Sequence, residues 1–316
     1  MILQPEVLTL MILNAIIAFF AIIAFILSVK IYLFWDIEAT TKQQYQLEKQ
    51  SYLNATIIKY IFMIKLPLFL FFIFTLDDIS HLLTGAMCAA GVVNATKYGM
   101  YLLMLKIFNL YIFAYWLYLH FIDIKYENLP FTKQKSFLFI FAFFLLMIET
   151  VVEYLMFSGI DVNKMVSCCG TLFSSSATSY ISNLFTIPLP LLLAFFYGVY
   201  FLMLMTYFFQ NRYLFAFLNF LFIFASIISL IIFFGTYIYE LPTHHCPFCM
   251  LQKDYHYIGY LLYSFLYVGT FYGMMVGLSP FYLQKNYKLS IIFNSFYTII
   301  VTTYPIIFYI KNGVFL

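Results

Sequence analysis

Long apolar runs alternate with short polar breaks along the whole chain. Each run has about the 20 residues that a helix needs to cross a hydrocarbon core roughly 30 Å thick, whereas barrel strands would show ten-residue alternating segments. The pattern therefore predicts an all-α, polytopic transmembrane helical bundle of about eight spans, forming a single integral membrane domain over residues 1–316. The predicted spans cover residues 7–33, 55–76, 98–120, 136–157, 181–209, 214–237, 257–281 and 290–310.

Composition supports a lipid environment for these runs. Hydrophobic residues make up 65% of the chain and charged residues 9%, against roughly 25% charged residues in a soluble domain. The net charge of +3 is spread over many loops, which excludes the clustered basic surface of a nucleic-acid-binding protein. The first apolar run follows no Lys or Arg and precedes no small-residue cleavage site, so we expect a retained helix in the bilayer.

The distribution of basic residues predicts the topology. Eight of them occupy one set of loops: Lys42, Lys49, Lys125, Lys133, Lys135, Arg212, Lys285 and Lys288. Four occupy the other set: Lys97, Lys164, Lys253 and Lys311. The positive-inside rule then places both termini on the extracytoplasmic side. We expect an integral protein of a bacterial inner membrane.

All the cysteines and most of the histidines fall on the predicted extracytoplasmic side. The cysteines are Cys88, Cys168, Cys169, Cys246 and Cys249. The histidines of that side are His81, His244, His245 and His256. Cysteine is often only a small buried hydrophobe, but thiolates, imidazoles and thioethers are also the ligands that select copper(I) or zinc.

The segment His244–Met250 (HHCPFCM) is the strongest local motif. Proline is favoured at the first position of a helix, so Pro247 is predicted to open the seventh helix with Cys246 near its cap. The positive end of that helix would favour a thiolate at Cys246. Helical spacing would then align Cys249 with the following Lys and His residues on one face.

The first functional hypothesis is the handling of a soft metal ion, with copper favoured over zinc. Its first candidate ligands are Cys246, Cys249, Cys168 and Cys169, and its further candidates are His244, His245, Cys88, Met87 and Met250. Delivery of the ion to a periplasmic metalloprotein, or assembly of a metalloenzyme, is favoured over transport because few polar residues lie along the spans. A shared site predicts that Cys168 or Cys169 approaches Cys246 or Cys249.

A second hypothesis comes from a resemblance. The Cys-Pro-Phe-Cys segment resembles the active pair of the vitamin K epoxide reductase family and of quinone-linked membrane oxidases that make disulfides. Only that segment is covered, and those proteins are four-helix bundles. The resemblance implies a thiol–disulfide oxidoreductase in which Cys168 and Cys169 relay electrons from a thiol protein to Cys246 and Cys249, and then to a quinone.

A third hypothesis is a structural subunit of a membrane complex, with the cysteines in stabilising disulfides. Two disulfides would use four cysteines and leave one over, which argues mildly for an additional role. Whether the protein is an enzyme stays open at this point.

Two lysines fall well within the predicted spans, and two glutamates lie one turn apart near the outer end of the fourth span. They are Lys65, Lys106, Glu149 and Glu153. Such groups are costly in a membrane and are usually paired or functional. We expect at least one of the two carboxylates to face the bundle interior and to approach a lysine or another polar side chain.

Overall fold

The computed structural model describes residues 2–36, 39, 41–126, 128–162, 164–166, 186–279 and 284–316 of the chain. Helices account for 81% of these residues, and no strand occurs among them. Eight helices of the described part are long and apolar enough to cross a membrane. The predicted all-α polytopic bundle is therefore confirmed, and the chain is an integral membrane protein. The extracytoplasmic placement of both termini stays a prediction.

The contacts group the chain into two compact units. Unit 1 comprises Met1–Thr84 and Val92–Val166, and unit 2 comprises Gly85–Gly91 and Ser167–Leu316. The short helix α3 (Ala89–Asn94) begins in unit 2 and ends in unit 1. The single domain expected over residues 1–316 stays a prediction.

Unit 1 contains four long helices around an aromatic core. They are α1 (Pro5–Phe34), α2 (Lys42–Ser80), α4 (Gly99–Asp123) and α5 (Thr132–Ser158). Helix α1 packs against α2 and α5, and α4 packs against the same two helices, so the four close a ring. Between the four helices, the aromatic ring of Phe62 stacks on that of Phe113, with ring centroids 4.4 Å apart.

Helix α2 begins earlier than the apolar pattern predicts. The polar stretch before residue 55 was expected to be a loop, but the helix already begins at Lys42. The Thr41 side chain caps it by accepting a hydrogen bond from the Gln44 backbone N–H at 3.2 Å. Leu47 and Ser51 are buried on one face of this helical segment, so an amphipathic helix forms without the long apolar run that marks a span.

Unit 2 contains the remaining four spans. Their helices are α6 (Leu189–Phe209), α7 (Arg212–Ser229), a π-helical turn (Leu230–Phe234), α8 (Gly235–Tyr239), α9 (Ile258–Leu278) and α10 (Gln284–Asn312). Helix α7, the π turn and α8 form one continuous span. Helix α9 packs against α7 and α10, and α6 packs against α7.

The fifth span begins later than predicted. It was expected from residue 181, but helix α6 begins at Leu189. Pro188 is its N-cap, and Pro190 lies in the first turn, where a missing backbone N–H costs no hydrogen bond. Two prolines therefore set the start of this helix, and residues 181–185 lie outside the described part of the chain.

Candidate metal centre

Three cysteines from two distant segments meet inside unit 2. The Sγ atoms of Cys88, Cys246 and Cys249 all lie within 4.8 Å of one another. The Cys88 and Cys246 sulfur atoms are 3.6 Å apart, well beyond the roughly 2.05 Å of a disulfide bond. Ligand atoms about 2.3 Å from a tetrahedral ion stand roughly 3.8 Å apart. The group thus has the dimensions of a shared metal site.

The cysteine cluster, defined as Cys88, Cys246 and Cys249, is closed to water. The three residues are 0%, 1% and 4% exposed, respectively. The adjacent Met250 is also fully buried, at 0%. A sulfur-rich, dry environment favours a soft ion over a strongly hydrated one.

Pro247 does not open a helix, which overturns the expected local structure. Cys249–Leu251 form a 3₁₀ turn, and helix α9 begins only at Ile258. His256 and Tyr257 adopt left-handed backbone conformations, with φ of 52° and 55°, so one helix cannot run through this segment. Cys246 therefore does not cap a helix, and the expected helical face beyond Cys249 does not form.

Tyr239, at the end of α8, fixes the loop that carries Cys246 and Cys249. Its hydroxyl donates a hydrogen bond to the Cys246 carbonyl and accepts one from the Met250 N–H at 3.0 Å. The hydroxyl of Tyr263 in α9 donates to the Pro247 carbonyl at 2.8 Å. The two tyrosines thus hold the loop from both flanking spans. Sequence reasoning missed both, because the chain has 29 tyrosines and nothing local marks these two.

Substituting Tyr239 with Phe tests this arrangement. The change keeps the ring but removes both hydrogen bonds, so we expect unit 2 to lose about 1–3 kcal/mol of unfolding free energy. Metal affinity should fall roughly 10- to 100-fold, as is typical when a residue that orients ligands is lost. Thermal unfolding and competitive metal titration measure the two effects. Tyr257→Phe, in the same loop, is the matched control because that side chain is 50% exposed, and an equal loss of affinity there would contradict the role of Tyr239.

Cys88 is brought to the cluster by its own short segment. The Gln252 side-chain amide donates to the Met87 carbonyl at 3.0 Å, which ties this segment to the Cys246 loop. The Met87 side chain is 71% exposed, so of the two candidate methionines Met250 is the buried one. Gly259, in the first turn of α9, lets the helix approach, because a Cβ atom there would lie 2.7 Å from Met250 Cγ.

His244 and His245 lie in the loop beside the cluster. Burial is the main cause that lowers the pKa of both imidazoles, which favours their neutral form. His245 Nδ1 lies 3.0 Å from the Ile231 carbonyl oxygen of the π turn. His244 Nε2 is buried without a hydrogen-bond partner among the described residues. A neutral imidazole with an open nitrogen is the metal-binding form.

Cys168 and Cys169 lie outside the described residues. Their approach to Cys246 or Cys249 therefore stays a prediction. The structure instead brings Cys88 to that pair, a cysteine that the sequence argument ranked behind the other four.

A buried charge cluster in unit 1 joins Lys65, Lys106, Glu149 and Glu153. Lys65 Nζ lies 3.0 Å and Lys106 Nζ 2.9 Å from Glu149 Oε1, and Lys106 Nζ lies 2.7 Å from Glu153 Oε2. Glu149 also accepts a hydrogen bond from the Asn109 side chain at 2.5 Å. As expected, the carboxylates face the interior and approach the lysines. The sequence argument did not find Asn109.

Comparisons with known proteins assign no function to this geometry, because no family model, curated protein or solved structure matches the chain. Function is therefore inferred from the fold and from the cysteine cluster. The chain is a multi-pass helical membrane protein with a buried group of three cysteines whose sulfur atoms are placed to hold a metal ion.

Proposed function

We propose that the protein binds copper(I) at Cys88, Cys246 and Cys249 and hands the ion to a periplasmic metalloprotein, as a delivery or metalloenzyme-assembly factor in a bacterial inner membrane. One observation carries the proposal: three buried sulfur atoms from two separate segments lie within 4.8 Å of one another. Sulfur donors so close together are the ligands that a soft ion selects.

The number of ligands distinguishes copper(I) from zinc. Structural zinc sites are almost always tetrahedral, with four protein ligands, whereas the cluster supplies three sulfur atoms. His244, with its buried open Nε2, is the candidate for a fourth ligand and would favour zinc. Copper(I) is the better match to the sulfur atoms alone, and zinc is the competing ion in the experiment.

Handover needs ligands that can leave one at a time. Cys249 sits in a 3₁₀ turn rather than in a long helix, and Cys88 comes from a different segment of the chain. A thiolate or thioether of the partner can then join the ion while one cysteine of the cluster leaves. The partner is proposed to carry soft ligands of its own.

Metal content of the purified protein tests the proposal. Protein reconstituted with copper(I) under reducing conditions should hold about one ion per chain, measured by mass spectrometry together with the thiolate-to-copper absorption. Cys88→Ser should lower the affinity strongly, because a hydroxyl is a poor ligand for a soft ion. Met87→Leu is the matched control, since it removes a sulfur atom from the same segment but from an exposed side chain. Retention of wild-type copper affinity by Cys88→Ser would remove Cys88 from the site.

The alternative, a quinone-linked thiol–disulfide oxidoreductase, is supported by the Cys88–Cys246 distance of 3.6 Å. A shift of about 1.5 Å would bring these sulfur atoms to disulfide length. Two thiols would then lose two protons and two electrons, and the quinone would take up both as a quinol. Such a protein should be metal-free and should lose two titratable thiols on treatment with a quinone. If it neither binds metal nor cycles, the structural-subunit hypothesis is left.

A further inference from the structure

Four buried polar side chains lie on two helices of unit 2, α7 and α10. We call Ser226, Ser229, Asn294 and Tyr297 the polar seam. All four residues are 0% exposed, and they lie within helices that are long and apolar enough to span a membrane. Tyr297 of α10 reaches α7 by donating a hydrogen bond to the Ser226 carbonyl at 3.3 Å.

Part of the polar interior next to the seam has an evident packing role. Asn219 Oδ1 accepts hydrogen bonds from the Ser290 hydroxyl and from the Asn294 side-chain amide, both at 2.9 Å. Interhelical hydrogen bonds of this kind hold membrane helices together. They account for Asn219, for Ser290 and for the nitrogen of Asn294.

Three oxygen atoms of the seam have no such role. Ser226 Oγ, Ser229 Oγ and Asn294 Oδ1 are buried without a hydrogen-bond partner among the described residues. Buried polar atoms are nearly always satisfied, and the exceptions point to a missing water, ion or functional role. The Asn294 oxygen packs against Gly269 of α9, where a Cβ atom would lie 2.3 Å from it. The two serine oxygen atoms, one turn apart on α7, are therefore the ones that indicate an occupant that interacts with oxygen.

The end of the seam at Ser229 lies next to the loop that carries Cys246 and Cys249. Ser229 directly precedes the π turn Leu230–Phe234, and turns of this kind are frequent at functional sites. The Ile231 carbonyl oxygen of that turn lies 3.0 Å from Nδ1 of His245, the neighbour of Cys246 in sequence. The other end of the seam, at Asn294, lies beside a soft donor, because the Asn294 side-chain amide contacts Met203 Sδ at 3.7 Å.

We propose that the polar seam is a passage for a monovalent soft cation leaving the cysteine cluster, so that unit 2 moves copper(I) into the membrane interior in addition to handing it to a partner. This inference rests on the proposed function. The seam contains hydroxyl and amide groups but no charged side chain. The cost of transferring an ion from water rises with the square of its charge, so a divalent ion would cost about four times as much as a monovalent one.

The donor types also fit movement along the seam. Thiolates bind a soft ion tightly, whereas neutral oxygen atoms and a thioether compensate its charge more weakly. A cation that reaches the seam is therefore solvated without being trapped there. The same reasoning predicts that zinc(II) stays at the cluster.

The Ser226→Ala/Ser229→Ala variant separates a passage from packing. Removing hydroxyls that have no partner should leave stability unchanged or slightly higher if they serve only packing. If they solvate the ion, the variant should bind silver(I), a redox-stable monovalent probe, with wild-type stoichiometry in detergent but move it at least ten times more slowly. Ser264→Ala is the matched control, because Ser264 is an exposed serine of α9.

Flux is measured in sealed phosphatidylcholine and phosphatidylglycerol vesicles. Silver(I) is added outside, an inside-negative potential is set with potassium and valinomycin, and the entrapped silver is counted by mass spectrometry. We expect wild type and Ser264→Ala to accumulate silver(I) but not zinc(II), and the double alanine variant to accumulate little. Binding without flux in the wild type, equal flux in the double variant, or equal entry of zinc would each overturn the passage. Absence of metal binding in detergent would instead overturn the proposed function, and the passage with it.

Discussion

Replacing both Cys246 and Cys249 with serine is expected to abolish metal binding and activity while leaving membrane insertion intact. The change removes two of the three clustered sulfur atoms and substitutes hydroxyl groups, which bind soft ions poorly and cannot exchange disulfides. Insertion depends on the apolar spans, which the substitutions do not touch. Copper content should fall from about one ion per chain to near zero, measured on protein with the elution volume and yield of wild type.

The wild-type protein then distinguishes the two mechanisms that the double variant removes together. A metal centre should carry a stoichiometric ion that the double-serine variant lacks, whereas a redox centre should be metal-free and should alternate between dithiol and disulfide. Met87→Leu serves again as the control for removal of a sulfur atom outside the cluster. A double-serine variant that stays fully active in cells would leave only a structural role for this loop.

The spans could be predicted from the sequence because each is a long apolar run, but their ends depend on contacts that a run does not show. Helix α2 extends back to Lys42 because Thr41 caps it and because Leu47 is buried on one face, although the segment is polar overall. The expected helix at Pro247 does not form, again because of contacts that the local sequence does not show. Proline permits a helix start, but here tyrosine hydrogen bonds hold the loop in turns up to Tyr257.

The sequence predicted the chemistry of the candidate site but not all of the residues that form it. The local motif His244–Met250 was sufficient to single out Cys246 and Cys249. The third sulfur atom comes from Cys88, and its choice depends on how the Met87 segment is tied to Gln252, a contact between residues far apart in sequence. No local pattern encodes such a contact. Tyr239 was missed because nothing local distinguishes it among the 29 tyrosines of the chain.

The pairing of the charged residues in unit 1 was predictable from the sequence. A lysine or glutamate within a span is usually paired with an opposite charge, so pairing could be expected before the partners were known. What the sequence could not supply was the arrangement, in which Glu149 contacts both Lys65 and Lys106. That shared carboxylate makes Glu149 the residue whose loss should matter most.

Glu149→Gln is expected to lower the unfolding free energy of unit 1 by about 3–5 kcal/mol, the cost of leaving a buried charge without its partner. Lys65 would lose its carboxylate at 3.0 Å, and the buried group would change from charge balance to an excess positive charge. The thermal midpoint of the detergent-solubilised protein should fall by roughly 6–20 °C. Hydrogen exchange should show the loss in the helices of unit 1.

The matched control is Glu240→Gln, whose carboxylate pairs with Lys311 at 3.3 Å with both side chains more than half exposed. Exposed pairs contribute about 0–1 kcal/mol, so this variant should unfold close to the wild-type temperature. Adding Lys65→Met to Glu149→Gln restores the charge balance and should recover part of the lost stability. If Glu149→Gln alone were as stable as Glu240→Gln, the carboxylate would not be holding unit 1 together, and its retention inside the membrane would have to be explained by function.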